Sequence, residues 1–529
     1  MYRIVLVNVP FANVRMPSIA LAQLKFVTEQ AHGDAVGVRT IDLNHEFSDY
    51  LGHDRYDELI SDYKHFVSGL GDWMFRQAAF PAAADNSEEY FARYYPRTDA
   101  ASLLARGVTL KKRAGLDDFL RRMIAKYELG GADLVGLTSM FSQNTASFAV
   151  ARAVKEVNPD VCVVMGGANC EYPMGLEIVE HVDAVDYVFS GPALVSFPAF
   201  VGSRLRREPP GAIPGVFSKA AAAKPRDAED GPTIGEALDI NVPIPLDYDA
   251  FMDSYERFFP NASPGPSLLF ETSRGCWWGE KSHCTFCGLN GLSMTYKSMD
   301  PALALAQLDA LFAYASRGVG EFQCVDNILP KSYVRDVFPH LNTPATASIF
   351  YEVKADLGED DVRALAGARV LRIQPGIEAL ASSTLRLMKK GTTSFINLTL
   401  LKLCIAYGIT PEWNLLVGFP GETEDVFEKY TSDVPLLTHL QPPAGVATVR
   451  FDRFSPYFNQ ARSYGLDLLP YDFYGMIYPF PAASIERLAF YFTDRNDEAE
   501  YFIAMITWLR DMQTAVNAWR ERWSHGQRL

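Results

Sequence analysis

The sequence predicts an α/β protein made of an N-terminal Rossmann-like sheet, a partial (β/α)6 barrel and a C-terminal helical domain. Three observations lead there. Strand-like runs alternate with amphipathic helix patterns over residues 1–200, six more strand candidates alternate with helices over 265–460, and from 461 the pattern turns helical. At roughly 150 residues per domain, 529 residues leave room for about three.

In the N-terminal part the clearest strands are Ile4–Val9, Leu134–Thr138, Val161–Met165 and Tyr187–Phe189, with Thr145–Val157 helical between two of them. Short apolar runs like these suit strands covered on both faces, as in parallel sheets. Residues 48–130 break the rhythm as a helical insertion rich in aromatic and charged residues, where Asp72, Trp73, Met74 and Phe75 suit packing between helices. Residues 201–264 read as a linker, with Pro209–Pro210, Ala220–Ala223 and mixed charge but no sustained period.

The barrel strands are Leu268–Thr272, Glu321–Val325, Ile349–Val353, Leu371–Pro375, Trp413–Val417 and Thr448–Phe451. Six strands are too few for a closed eight-stranded barrel, and active sites in such folds gather where strands run into loops. The helical domain, 461–529, carries its amphipathic pattern from Ile485 to Trp519.

Composition narrows the function. Lys and Arg number 49 against 64 Asp and Glu, a net charge of −15, which opposes a nucleic-acid partner. No apolar run reaches the ~18 residues of a membrane span, and Met1–Pro10 lacks the features of a signal peptide. Seven cysteines do not make a disulfide framework in a chain of this size, and three of them cluster. Together these features predict a cytoplasmic protein without a membrane partner, whose clustered thiols do metal or redox chemistry.

The cluster lies in Arg274-Gly275-Cys276-Trp277-Trp278-Gly279-Glu280-Lys281-Ser282-His283-Cys284-Thr285-Phe286-Cys287, directly after the first barrel strand. Thiolates hold iron–sulfur clusters, and three of them leave one iron open to a substrate or cofactor. The alternative is structural zinc, which takes four ligands in two close pairs. Here only Cys284 and Cys287 form a pair, and His283 or Cys324 would have to complete the set.

The stretch Arg274–Gly291 resembles the signature of radical S-adenosylmethionine (SAM) enzymes that mature ribosomally synthesised peptides (RiPPs), a group using C-x7-C-x2-C. Tyr351–Lys354, Ile373–Glu378, Trp413–Glu422 and Arg453–Tyr457 resemble its later barrel motifs. The resemblance implies that Cys276, Cys284 and Cys287 hold a 4Fe–4S cluster whose fourth iron takes the amino and carboxylate groups of SAM. Phe286 would pack on the adenine. Asp326 and Asn327 would lie near the methionine ammonium, although no Gly-Gly-Glu triplet stands there. Glu352, Lys354, Gln374, Glu378 and Asn414 would face SAM from successive strands. Polar groups buried in a barrel need partners, at a cost of about 1–3 kcal/mol each if left without. An internal salt bridge such as Lys354 with Glu378 would serve as well.

The N-terminal sheet resembles the cobalamin-binding domain that precedes the barrel in some of these enzymes. That implies cobalamin contacts from Ser139, Ser142, Gln143 and Asn144, from Gly166 and Gly167, and from Ser190 and Gly191, with the cofactor between sheet and barrel. No Asp-x-His-x-x-Gly motif is present, so no histidine of that motif would ligate cobalt. Gly191-Pro192-Ala193 stands where relatives are acidic, and a sheet that has lost its ligand is the alternative.

The function implied is a cobalamin-dependent radical SAM methyltransferase acting on an unactivated carbon of a ribosomal precursor peptide, served by an electron donor such as a flavodoxin or ferredoxin. Peptide epimerisation or crosslinking without methyl transfer is one alternative. A non-catalytic metal-bearing peptide-binding protein is another.

Overall fold

The computed structural model describes residues 1–210, 212–222 and 234–526. They divide into two compact units.

The first unit comprises residues 1–239, 244–263 and 470–490. Its sheet runs in the spatial order Val36–Asp42, Tyr2–Asn8, Leu134–Thr138, Cys162–Gly166, Tyr187–Phe189, Val216–Ser218. The first five strands are parallel and the last is antiparallel. One face buries Ile4, Leu6, Leu134, Val164 and Phe189 against Phe197, Phe200 and Val201 of the helix Ser196–Leu205. From Tyr2–Asn8 the chain first steps to one neighbour and later to the other. The carboxyl ends of Tyr2–Asn8 and Leu134–Thr138 therefore flank a topological switch point, where open α/β sheets bind their ligands.

Two strands escape the sequence reading. Val36–Asp42 is an edge strand with an exposed Arg39, so its apolar run is interrupted. Val216–Ser218 lies within the stretch read as linker, and so does the helix Asp249–Phe258, whose Phe251 and Tyr255 pack around the buried His45 ring. Residues 211 and 223–233 of that stretch, Ala223 among them, lie outside the described residues.

The insertion is helical, including Leu70–Ala79, Ser87–Tyr94, Ala100–Ala114 and Leu116–Lys126. Asp72, Trp73, Met74 and Phe75 are all buried. Trp73 stacks on Tyr90 at 4.2 Å and carries the Arg113 guanidinium on its ring at 4.1 Å. Asp72 accepts the backbone N–H and the hydroxyl of Thr145, both at 2.9 Å, in the first turn of Asn144–Val157.

Burial pushes the Asp72 carboxyl up to about 6 from 3.8. A carboxyl raised by folding favours the folded state while protonated. Its contribution is complete below the unfolded pKa, near 4, and is lost as pH rises through 6. Relative to D72N, the wild type therefore loses stability between pH 4 and 6, on the order of 3 kcal/mol. Urea midpoints of both proteins across that range check this, and parallel curves would refute it.

The second unit comprises residues 240–243, 264–469 and 491–529. Five parallel strands lie in the order Thr410–Pro411, Val370–Gln374, Ser348–Glu352, Glu321–Cys324, Ser267–Phe270, and Leu415–Val417 pairs in parallel with Val446–Thr448. Thr410–Pro411 and Leu415–Val417 are one run of chain broken at Glu412–Asn414. Six strand positions result, in chain order, with helices such as Pro301–Phe312, Glu359–Gly367, Ser394–Tyr407 and Glu424–Asp433 between them, the expected partial barrel.

Side chains alternate along these strands. Leu268, Phe270, Phe322, Cys324, Ile349, Tyr351 and Ile373 are buried, whereas Glu321, Gln323, Glu352, Arg372 and Gln374 are half-buried or exposed. Glu321 accepts from Arg372 at 2.8 Å, Gln323 at 2.5 Å and Ser267 at 3.2 Å, and Arg372 reaches Glu412 at 3.1 Å. Arg372 thus serves two carboxylates, Glu321 and Glu412.

The C-terminal stretch is less uniformly helical than its periodicity suggests. Helix Ala482–Leu488 and residues 470–490 around it belong to the first unit. A strand, Tyr491–Asp494, pairs antiparallel with Phe451–Asp452 before the long helix Glu500–Ser524 begins. The aromatic run Phe490-Tyr491-Phe492 suits a strand as well as a helix face.

Candidate functional site

After the strand Ser267–Phe270 the chain forms a small antiparallel pair, Ser273–Arg274 with Lys297–Ser298, which closes the cysteine loop at its base. Gly275 has φ +75°, and a Cβ there would overlap the Thr295 carbonyl. Cys276 then caps the short helix Trp277–Lys281, its Sγ accepting the Gly279 N–H at 3.3 Å. That helix takes up five of the seven residues between the first two cysteines.

Both indoles pin the loop. Trp277 Nε1 donates to the Leu329 carbonyl and Trp278 Nε1 to that of Lys389, each at 3.1 Å. Trp278 lies where any side chain at Gly391 would have to be. Further on, the Cys287 N–H donates to the Cys284 carbonyl at 3.2 Å. Thr285 donates its N–H to Met388 O and its hydroxyl to Leu387 O, both at 3.1 Å. A Cβ at Gly288 would overlap the Arg453 carbonyl. The second and third thiols are thus clamped between two other loops.

The donor set fits a polynuclear cluster. Burial pushes the Cys287 thiol up to about 12 and raises Cys284 as well. Ligand thiols must be deprotonated, so a bound cation would have to offset the burial of these two. His283 Nε2 is 2.8 Å from the Cys287 carbonyl, so that nitrogen is engaged with the backbone. Cys324 is buried beside the Thr272 hydroxyl at 3.7 Å. Thiolates on one zinc ion, each at about 2.3 Å, would lie roughly 3.8 Å apart. Among the described residues the three sulfurs are not gathered within 4.8 Å of one another.

Around the loop lies a charged shell. Glu378, at φ +57°, pairs with Lys390 at 3.1 Å. Burial opposes the Lys390 ammonium, but Glu378 and the Cys284 thiol outweigh it and hold its pKa above the ordinary lysine value. Lys390 also lies 5.4 Å over the Phe286 ring, which meets Phe419 edge-on at 5.8 Å. Burial pushes Glu352 up to about 7, with Lys390 opposing and Glu378 reinforcing the shift. Lys354 donates to the Gly391 carbonyl at 3.0 Å, lies 4.5 Å over Trp278 and reaches Asp356 at 3.7 Å. The salt bridge that forms on Glu378 therefore comes from Lys390, not Lys354.

Gln374, Glu378 and Asn414 line one cavity of about 500 Å³, with Trp413, Arg520 and Trp523. Asp326 is buried and engaged: its carboxylate accepts the Thr272 N–H at 2.7 Å and the Thr272 hydroxyl at 2.5 Å. Asn327 donates to Asn290 at 2.7 Å. Glu422 accepts from the Gly418 and Phe419 N–H groups at 2.7 and 3.2 Å and from Thr384 at 2.6 Å, which holds the Gly418–Glu422 turn. Lys390 and Arg520 were missed by sequence reasoning; Lys389-Lys390-Gly391 looks like ordinary surface charge.

In the first unit, the candidate cobalamin residues stand at the carboxyl ends of adjacent strands. Several are engaged internally. Ser139 donates to Asn144 at 2.6 Å, Asn144 to Tyr478 at 3.2 Å, and Gln143 to the Val9 carbonyl at 2.7 Å. Ser190 accepts the Tyr172 N–H at 2.9 Å. Gly167, at φ +125°, is required by its own neighbour, since a Cβ would overlap the Ser139 carbonyl. Gly191 has φ +75°, and a Cβ there would come within 3.1 Å of Ile234. Gly166 differs: a Cβ there would meet only Phe189, at 3.8 Å. Ser142 is half-buried beside the exposed Met140 and Phe141. A small-residue edge along the carboxyl ends of these strands, with room at Gly166, fits a large planar ligand.

Residues 270–434 match the model of the Radical SAM superfamily. A curated relative, an uncharacterized methyltransferase of Pyrococcus horikoshii, is 23% identical over 315 residues, covering 58% of this chain and 64% of the relative. Among solved structures, the cobalamin-dependent SAM radical enzyme OxsB with aqua-cobalamin bound aligns with a TM-score of 0.61 at 14% identity, covering 96% of this chain and 66% of OxsB. TsrM from Kitasatospora setae, a radical SAM methyltransferase with cobalamin and a [4Fe-4S] cluster bound, aligns with a TM-score of 0.59 at 15% identity, covering 98% and 89%. This chain thus spans just under two thirds of the length of the Pyrococcus relative and of OxsB. Its fold is that of the cobalamin-dependent radical SAM enzymes, with a helical C-terminal region.

Proposed function

We propose that the protein is a cobalamin-dependent radical SAM methyltransferase that methylates an unactivated carbon in a ribosomally synthesised peptide. The observation that carries this reading is the loop of Cys276, Cys284 and Cys287 at the mouth of the barrel's first strand, with Nε2 of His283 on the Cys287 carbonyl. The methyltransferase name of the Pyrococcus relative, and the cobalamin bound to OxsB and TsrM, support it.

With these groups bound, the cluster and SAM supply a 5′-deoxyadenosyl radical that removes hydrogen from carbon, and cobalamin supplies the methyl group. The chain's own residues hold and shield. Cys276, Cys284 and Cys287 hold the cluster, and Phe286 offers a ring for the adenine. Lys390 pairs with Glu378 beside the thiols. Glu352, raised to about 7 by burial, is poised to hold a proton near neutral pH. Gln374 and Asn414 present polar groups to the cavity, while Asp326 and Glu422 fix the strand-end loops. In the first unit, Gly166 and the loops at Ser139–Asn144 and Ser190–Gly191 form the cobalamin edge. The reductant is a flavodoxin or ferredoxin, and the substrate is a precursor peptide.

The test is to incubate reconstituted enzyme, reductant, cobalamin and deuterated-methyl SAM with the precursor peptide encoded beside the enzyme. Label at an sp3 carbon of the peptide is the expected result. Peptide that changes by epimerisation or crosslinking without label would replace methyl transfer with the simpler radical reaction. Labelled free amino acids and an unchanged peptide would overturn the substrate assignment.

A further inference from the structure

The cavity of about 500 Å³ in the second unit lies at the gap where the barrel wall splits, between Gln374–Glu378 and the broken run Thr410–Asn414. Its volume suits a small organic group rather than a few waters. Arg520 and Trp523, three residues apart on the helix Glu500–Ser524, share one helix face and line the same cavity.

Charge decides what this cavity can take. Its lining holds three charged side chains: Glu378, Glu412 and Arg520. Glu378 is paired with Lys390 at 3.1 Å, and Glu412 with Arg372 at 3.1 Å, a guanidinium it shares with Glu321. Arg520 has no hydrogen bond or ion pair among the described residues, and its guanidinium is exposed. Arg520 is therefore the one charged side chain of the lining without an ion pair among the described residues, and it carries a planar fork of donors, the geometry that recognises carboxylates bidentately. Beside it stand apolar surfaces of Trp523, Pro442 and Pro443.

We propose that this cavity is a carboxylate-recognition site in which Arg520 grips the anion and the Trp523–Pro442–Pro443 wall covers an adjoining apolar group. The ligand class is a carboxylic acid with an apolar side group, as at a peptide C-terminus. That the carboxylate belongs to the substrate rests on the function proposed above; the binding site itself does not. SAM also carries a carboxylate, and the experiment separates the two sources.

The experiment uses the full-length reconstituted protein and calorimetry, with N-acetyl-L-phenylalanine and its uncharged amide as probes, each with and without saturating SAM. The acid is expected to bind at least about tenfold more tightly than the amide, the scale of one charge-assisted contact. R520Q should erase that preference and R520K retain part of it, with iron content and near-ultraviolet circular dichroism of both variants matching wild type. A preference that persists with SAM bound assigns the site to a second carboxylate, whereas abolition by SAM assigns it to SAM and overturns the substrate claim. Equal binding of acid and amide by the wild type, or an undiminished preference in R520Q, overturns the site. No turnover is needed, so this test can fail while SAM cleavage succeeds, and the reverse.

Discussion

Protein with Cys276, Cys284 and Cys287 all replaced by Ala is expected to carry no iron after anaerobic reconstitution, against about four irons per chain for the wild type. The loss should be complete rather than graded. Apart from the three thiols, the loop is held by Gly275 and the two indole anchors, none of which is a good iron ligand. His283 has its Nε2 on the Cys287 carbonyl and is a single remaining donor, and Cys324 is buried beside Thr272. Removing the three thiols should leave the apoprotein folded, because the Thr285, Trp277 and Trp278 hydrogen bonds do not involve them. Iron analysis together with far-ultraviolet circular dichroism checks both halves. Near-wild-type iron in the triple variant would remove the cluster assignment.

The second large effect is expected at Gly166. G166V should lose cobalamin binding, read from the visible spectrum after reconstitution, while keeping its iron. The reason is steric: a side chain there enters open space beside Phe189 instead of the protein's own interior. Gly167 is a poor site for the same test. Its positive φ and the neighbouring Ser139 carbonyl mean that G167V strains the sheet edge whatever it does to a ligand. G166V protein that takes up cobalamin like the wild type would place the cofactor elsewhere. G166V protein that also loses iron would point to a general folding defect.

The candidate site was unevenly legible in the sequence. The thiol loop stood out in the sequence, because three cysteines fall within twelve residues directly after a strand. The parallel strands were legible where both faces are covered, as at Leu134–Thr138 and Cys162–Gly166. Val36–Asp42 was not, since an edge strand with Arg39 exposed mixes polar and apolar residues. Val216–Ser218 was hidden because three residues carry no period at all. Lys390 and Arg520 were out of reach for a different reason. No periodic pattern ties Lys390 to Glu378 and Phe286, or places Arg520 on one cavity with Gln374 and Asn414; only the fold does so. Polarity on alternate strand positions was visible, but not which charges neutralise one another.

One measurement bears most directly on the central claim: 5′-deoxyadenosine released from SAM by the anaerobic, reduced, reconstituted protein, followed by chromatography beside the triple cysteine variant. The wild type should release 5′-deoxyadenosine and methionine over many turnovers, or at least one equivalent per cluster, and the variant none. Intact SAM in the presence of a fully reduced, fully loaded cluster would contradict the account.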